Sequence, residues 1–305
     1  MNQASAPGRR IVPHGRGGEF FLIFIVNLLL TIVTLGIYKF WATTRNREYL
    51  WSHTEVDGEA LEYTGRGIEL FIGFLKVIGL IIVVAIVGSL VPPVLGLLYL
   101  GLPFLIGFAI YGAVRYRLSH TRLRGVRFGL DGTAARHGLL FLGYTILLIF
   151  TLGLATPWVR NALHANLVGH MRYGSETFSY AGRGAELFGF FLITVLLTLP
   201  TLGLIWFWYK AKELRYHINH TALGTVRFES QLSGSAYFWL WLSNMLLLLL
   251  TLGLAWPWVL LRSIRYTLNT LVVSGELDYA KIRQEAAEAE ASGEGLADAL
   301  DVGAI

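Results

Sequence analysis

The stretch TLGLAWPWVLLRSIRYTLNT, residues 251–270, ends one apolar run and opens a basic, aromatic one. Its first three residues recur: Thr-Leu-Gly stands at 34–36, 151–153, 201–203 and 251–253, the last three copies 50 residues apart. Seven residues after each threonine comes Trp41, Trp158, Trp208 or Trp258, and 19 residues after it His53, His170, His220 or, in the last copy, Thr270. A glycine closing an apolar run fits the position just beyond a helix C-terminus, where the backbone turns left-handed. Pro157 and Pro257, each directly before its tryptophan, suit the first turn of a new helix. The phrase therefore marks a junction between two helices, and its recurrence marks tandem units.

Working outward, YRLSHTRLRGVRFGL from Tyr116 falls in the register of YLWSHTEVDGEALEY from Tyr49 and YHINHTALGTVRFES from Tyr216. His120 thus implies a fifth unit, with its junction at Gly101-Leu102-Pro103. The units run about 19–67, 68–133, 134–183, 184–233 and 234–280. Each reads as an apolar helix, the junction, a basic aromatic amphipathic helix and a short β-hairpin. Asp57-Gly58, inside HTEVDGEALEYT, is a strong two-residue hairpin turn. Residues 77–114 carry no charge, and Pro92-Pro93 divides them into helices of about 69–91 and 94–114, each long enough to cross a bilayer. Residues 1–18 are expected as a disordered basic leader and 281–305 as a disordered acidic tail.

Composition sets the solvent. Charged residues make up 15% of the chain against 54% hydrophobic, where a soluble domain carries about 25% charged. The fold class expected is a mainly α, polytopic integral membrane protein of about five ~50-residue repeats, residues 19–280 forming one membrane domain. Cysteine is absent, which excludes disulfides and thiolate metal sites. The net charge of +5 divides into −4 over residues 281–305 and +9 over residues 1–280. Because the basic residues border apolar segments, the partners expected are anionic membrane lipids, not nucleic acid. Single crossings in strict alternation would leave more Lys and Arg outside than inside, against the positive-inside rule. Helical hairpins turning at Thr-Leu-Gly, with every basic segment and β-hairpin on one side, satisfy it. That arrangement leaves Arg160 and Lys210 only about nine residues past a turn, where a buried charge needs a polar neighbour.

Two sets of residues repeat with the unit. His53, His120, His170 and His220 share one register; a repeat spreads them around the molecule, so they read as helix caps and not as a metal cluster. Arg45, Arg115, Lys212, Arg215, Arg262 and Arg265 lie on one face of the basic helices, where guanidinium and ammonium groups suit lipid phosphates or another anion. No nucleophile triad, paired carboxylates or nucleotide loop is present. The expectation is of no enzyme activity, no cofactor and no metal.

Residues 34–76, TLGIYKFWATTRNREYLWSHTEVDGEALEYTGRGIELFIGFLK, and 251–269, TLGLAWPWVLLRSIRYTLN, resemble the YjgN family of bacterial inner-membrane proteins. The resemblance covers about residues 17–280. It implies a multi-pass location in the inner membrane and, because the family is a domain of unknown function, supplies no activity and no site residues. The second unit departs by lacking Thr-Leu-Gly, and the third by carrying Met171 where a threonine follows the histidine elsewhere. Repeats of this kind suit transport or passage of a small solute or lipid; the alternative is a membrane-organising protein that binds anionic lipid without moving anything.

Overall fold

The computed structural model describes residues 11–282. The chain opens with β1 (Ile11–Pro13), α1 (Gly17–Val33) and α2 (Lys39–Ser52), then β2 (Thr54–Val56), β3 (Glu59–Ala60) and β4 (Glu62–Tyr63). A longer helix pair follows, α3 (Gly67–Leu90) and α4 (Pro92–Ser119), with β5 (Thr121–Leu123) and β6 (Val126–Leu130). Next come α5 (Ala134–Phe150), α6 (Thr156–Val168), β7 (Met171–Tyr173) and β8 (Glu176–Tyr180). The same order returns in α7 (Gly184–Leu197), α8 (Trp206–Asn219), β9 (Thr221–Leu223) and β10 (Val226–Ser230), and in α9 (Gly234–Leu250), α10 (Trp256–Asn269) and β11 (Leu271–Ser274). The protein is mostly helical.

Thr-Leu-Gly builds the same turn each time. The glycine N–H reaches the carbonyl five residues back, Thr31, Leu148, Thr198 or Leu248, at 2.7–2.8 Å, and the leucine N–H bonds three back. This is a Schellman ending. The threonine hydroxyl donates to the carbonyl four residues earlier, at 2.6–2.8 Å, and accepts the N–H four residues later, at 2.9–3.4 Å, so it closes one helix and opens the next. The left-handed residue beyond the helix is the leucine, with φ +49° to +50° at Leu35, Leu152, Leu202 and Leu252, and the glycine continues the turn at φ +81° to +93°. That corrects the sequence reading, which gave the left-handed position to glycine alone.

The strands form two antiparallel meanders, each in chain order. One set runs β1-β2-β3 and the other β4 through β11, with β3 and β4 parted by Leu61 alone. The Asp57-Gly58 turn is as expected, with φ +49° and +81° joining β2 to β3. The eight strands β4 to β11 are hydrogen-bonded in one sheet, so the hairpins β5–β6, β7–β8 and β9–β10 lie side by side. Helices pack on their neighbours in the chain from α1 to α10, and α10 then packs on α1. The first and last strands, β1 and β11, contact α10. Phe20, fully buried, seals this closure by stacking on Tyr49 at 4.9 Å and meeting Trp256 at 5.7 Å.

Among the described residues two helical stretches, Gly67–Leu90 and Tyr99–Ser119, are long and apolar enough to cross a membrane. The junction expected at Gly101-Leu102-Pro103 is absent: these residues run through α4, and the turn of that pair lies at Val91, before Pro92. Two prolines at a helix start set the break where Thr-Leu-Gly sets it elsewhere. Of the expected leader, Ile11–Pro13 are a strand paired with β2, because β-branched Ile11 and Val12 fit opposite Val56 and Glu55. Of the expected acidic tail, Ile282 is buried at 2% exposure. The expected leader also contributes His14, whose backbone N–H donates to the His53 carbonyl at 2.8 Å, and Gly17 and Gly18, which open α1. Residues 1–10 and 283–305 lie outside the described residues.

Candidate functional site

The register histidines all do one local job. Their Nδ1 atoms lie 2.6–2.8 Å from the carbonyls of Tyr49, Tyr116, Asn166 and Tyr216, four residues earlier. A carbonyl only accepts, so Nδ1 carries the proton and the ring caps the last helical turn. The next threonine, Thr54, Thr121 or Thr221, donates to a carbonyl of the same turn at 2.7–2.8 Å. Met171 cannot do so. The tyrosines tie the second helix back to the start of the first: the Tyr49 hydroxyl donates to the Arg16 carbonyl, the Tyr216 hydroxyl to that of Arg183, and the Tyr116 hydroxyl to Glu69. Replacing His220 with alanine is expected to cost about 1 kcal/mol of stability, the net value of one such bond, measurable by thermal unfolding in detergent.

The basic register residues meet separate partners. Arg115 donates to the carbonyls of Leu130 and Gly132 at 3.0 and 2.9 Å, Arg215 to that of Leu232 at 3.3 Å, and Arg265 to that of Gly15. Each clasps the chain just before the next unit's first helix, and Arg265 does so across the ring closure. Lys212 lies over the Phe190 ring at 4.4 Å, Arg45 over Tyr38 at 5.9 Å, and Arg262 donates to Asn244 at 3.5 Å.

Two constellations were not legible in the register. The first is a chamber of about 580 Å³ inside the strand meander. Alternate residues of the strands point inward (among them Val56, Leu123, Phe128, Phe178, Leu223, Phe228 and Val273), while Trp51 of α2 and Val114, Arg117 and Leu118 of α4 supply a helical wall. The segment after β11 closes it, with Leu277 and Tyr279 in the wall and Ile282 in the core beneath. Tyr279 is latched: its hydroxyl donates to Asp57 at 2.5 Å, and the Arg124 guanidinium lies 4.2 Å from its ring centre. Burial first, then the bond to Asp57, pushes its hydroxyl pKa upward, so it stays a donor.

The second is a polar knot between α6 and α8. Glu213, 7% exposed, accepts from Arg160 at 2.8 and 3.0 Å and from Lys210 at 2.9 Å. This is the polar neighbour that Arg160 and Lys210 required. His164 and His217 stack at 4.2 Å, and the Tyr180 hydroxyl donates to Asn161 at 2.5 Å and lies 2.7 Å from His217 Nδ1. The Tyr209 hydroxyl and His164 Nε2 are buried without a hydrogen-bond partner among the described residues. Arg160 and Lys210 share one register position and Tyr180 stands in that of Tyr63, but Glu213, His164 and His217 have no counterpart in the other units. Two signals in the sequence pointed here: Glu213 is the lone carboxylate of its helix, and the third unit's register face is blank while Arg160 and His164 sit one turn apart. Among the described residues no group of three or more His, Cys, Asp or Glu is placed to hold a metal ion.

Burial first, then His164, holds the His217 pKa down to about 4, and burial lowers that of His164 as well. Both rings are neutral at pH 7. Between about pH 6.5 and 4 the unfolded chain takes up protons that folded His217 refuses, so stability is expected to fall across that window as pH drops. Thermal unfolding of the native protein and of His217→Leu across that range checks it; the variant loses less.

The sequence signature of the family described as "Bacterial protein of unknown function (DUF898)" matches residues 10–205 and 191–299. The chain is 32% identical over 169 residues to "Inner membrane protein YjgN" of Escherichia coli O157:H7, covering 54% of this chain and 42% of that protein. It is 31% identical over 157 residues to the protein of that name in Escherichia coli strain K12 (51% and 39%), and 33% over 139 residues to that of Salmonella typhimurium (45% and 35%). These matches span less than half the length of the relatives. No solved structure matches the chain. With its long apolar helices and matches over nearly its full length, the chain is a membrane protein that belongs to the DUF898 family, the family of the YjgN inner-membrane proteins.

Proposed function

We propose that the protein resides in the bacterial inner membrane and holds the apolar part of an amphipathic molecule, a membrane lipid, in the strand-ringed chamber. The chamber carries the reading. Ligand sites of about 300–1,000 Å³ lined by apolar side chains with few polar groups are the usual form for such molecules, and this one has 580 Å³ with Arg117 and Asp57 among its few charged walls. Arg117 supplies the charge for an anionic headgroup. Enzymatic chemistry gains no support from the knot, which pairs its one carboxylate with two cations.

Displacement of a spin-labelled lysophospholipid from purified protein tests this. Filling the chamber by Val273→Trp is expected to weaken binding at least about tenfold, roughly 1.4 kcal/mol. Unchanged affinity in a folded Val273→Trp protein would eliminate the chamber as the site. Passage, as opposed to holding, is favoured by one observation: the segment 277–282, which closes the chamber, lies beyond the last strand and is held there by the Tyr279–Asp57 bond. Lipid transfer between the leaflets of reconstituted vesicles should then rise in Tyr279→Phe, which loses the Asp57 bond.

A further inference from the structure

The four short helix pairs, α1–α2, α5–α6, α7–α8 and α9–α10, present an apolar surface whose occupant is not self-evident. We propose that these pairs lie within the cytoplasmic leaflet, a wedge among the lipid chains of one monolayer, and that only α3–α4 crosses the bilayer.

Length is the first argument. A crossing needs about 20 helical residues; these pairs offer helices of 13–17, where α3 and α4 have 24 and 28. Tilt is the second. The tryptophan just past each turn does not reach away from the sheet side, because it packs on the glycine that opens the next pair. A Cβ on Gly67 would lie 2.8 Å from the Trp41 Cα, one on Gly184 2.5 Å from that of Trp158, and one on Gly234 3.0 Å from that of Trp208, while Gly17 meets the Trp258 ring. Each hairpin therefore leans across its neighbour's base, so its tip stays near the level where the neighbour begins, beside the sheet.

Chemistry of the tips is the third. Leu35, Leu152, Leu202 and Leu252 are 92–94% exposed in a left-handed conformation that glycine or asparagine ordinarily takes. In water a leucine there would gain nothing for a backbone cost of roughly 1 kcal/mol; among acyl chains its side chain is solvated. Charge agrees with a shallow placement. Lys39 is exposed four residues beyond Leu35, and Arg160 and Lys210 are half-exposed eight residues beyond their leucines, within reach of lipid phosphates if the hairpins lean and stranded in hydrocarbon if they stand upright. The basic segments share the sheet's side, which places that side in the cytoplasm.

The absence of native cysteine makes the test direct. Single substitutions Leu152→Cys, Leu202→Cys and Leu252→Cys at tips, Leu90→Cys at the end of α3 and Ser175→Cys in the β7–β8 turn are exposed to a membrane-impermeant maleimide from either side. Leu90→Cys should react from outside only and Ser175→Cys from inside only. The tip variants should react from outside at least about tenfold more slowly than Leu90→Cys, since the reagent does not enter hydrocarbon. A fluorophore on each tip should be quenched more by lipids carrying a nitroxide near the glycerol end of the chain than near the methyl end. Outside labelling of the tips at the Leu90→Cys rate, or stronger quenching from the methyl end, overturns the proposal. So does the absence of quenching by either lipid, which would put another copy of the chain where the lipids are placed.

Discussion

Glu213→Gln is expected to destabilise the protein by about 2–3 kcal/mol. Removing one partner of a fully buried ion pair costs about 3–5 kcal/mol, because the other charge is left without a counterion. Here the carboxylate is buried, with 9% of its side chain exposed, but the Arg160 and Lys210 side chains are 42% and 43% exposed, and water recovers part of that cost. Glutamine keeps one acceptor, so some of the Arg160 bond survives. The effect should appear as a lower midpoint of thermal unfolding in detergent, and Arg160→Gln added to Glu213→Gln should cost less than the sum of the two changes. A midpoint indistinguishable from native would mean that the knot is an exposed ion pair of little weight. The reason to expect otherwise is positional: α6 and α8 belong to different helix pairs, and the knot ties them together.

How much of this was readable in advance follows the periodicity. The junction, the helix-capping histidines and the Pro92 break were legible because each repeats or rests on local chemistry. Ring closure was not, since nothing local says that Arg265 reaches the Gly15 carbonyl 250 residues away. The chamber was hidden for a related reason. Its wall takes alternate residues from short strands of two to five residues, too few for a period-two pattern to stand out from noise. The knot was hidden because the units are recognised by what they share, whereas His164, Glu213 and His217 are what they do not share. Repetition builds a ring; chemistry at one point has to break it.

The glycines that open each unit should give the other large effect. A methyl group on Gly184 would fall 2.5 Å from the Trp158 Cα and 2.8 Å from the Pro157 carbonyl oxygen, both backbone atoms that cannot swing aside. Gly184→Ala must therefore push α7 away from α6, and overpacking of this kind costs about 1–3 kcal/mol, at the upper end where backbone is met. Gly189→Ala, on the same helix with nothing within 4 Å of its new methyl, is the control, and should stabilise by up to about 1 kcal/mol through helix propensity. Thermal unfolding of the two variants should thus move in opposite directions. The lean of each hairpin over the next depends on this close approach, so in Gly184→Ala the Leu152 tip should also lose its place: a fluorophore on Leu152→Cys in that background shifts its quenching toward the methyl end of the chain. If stability drops while the depth of the tip is unchanged, the glycine serves packing alone and the lean has another cause.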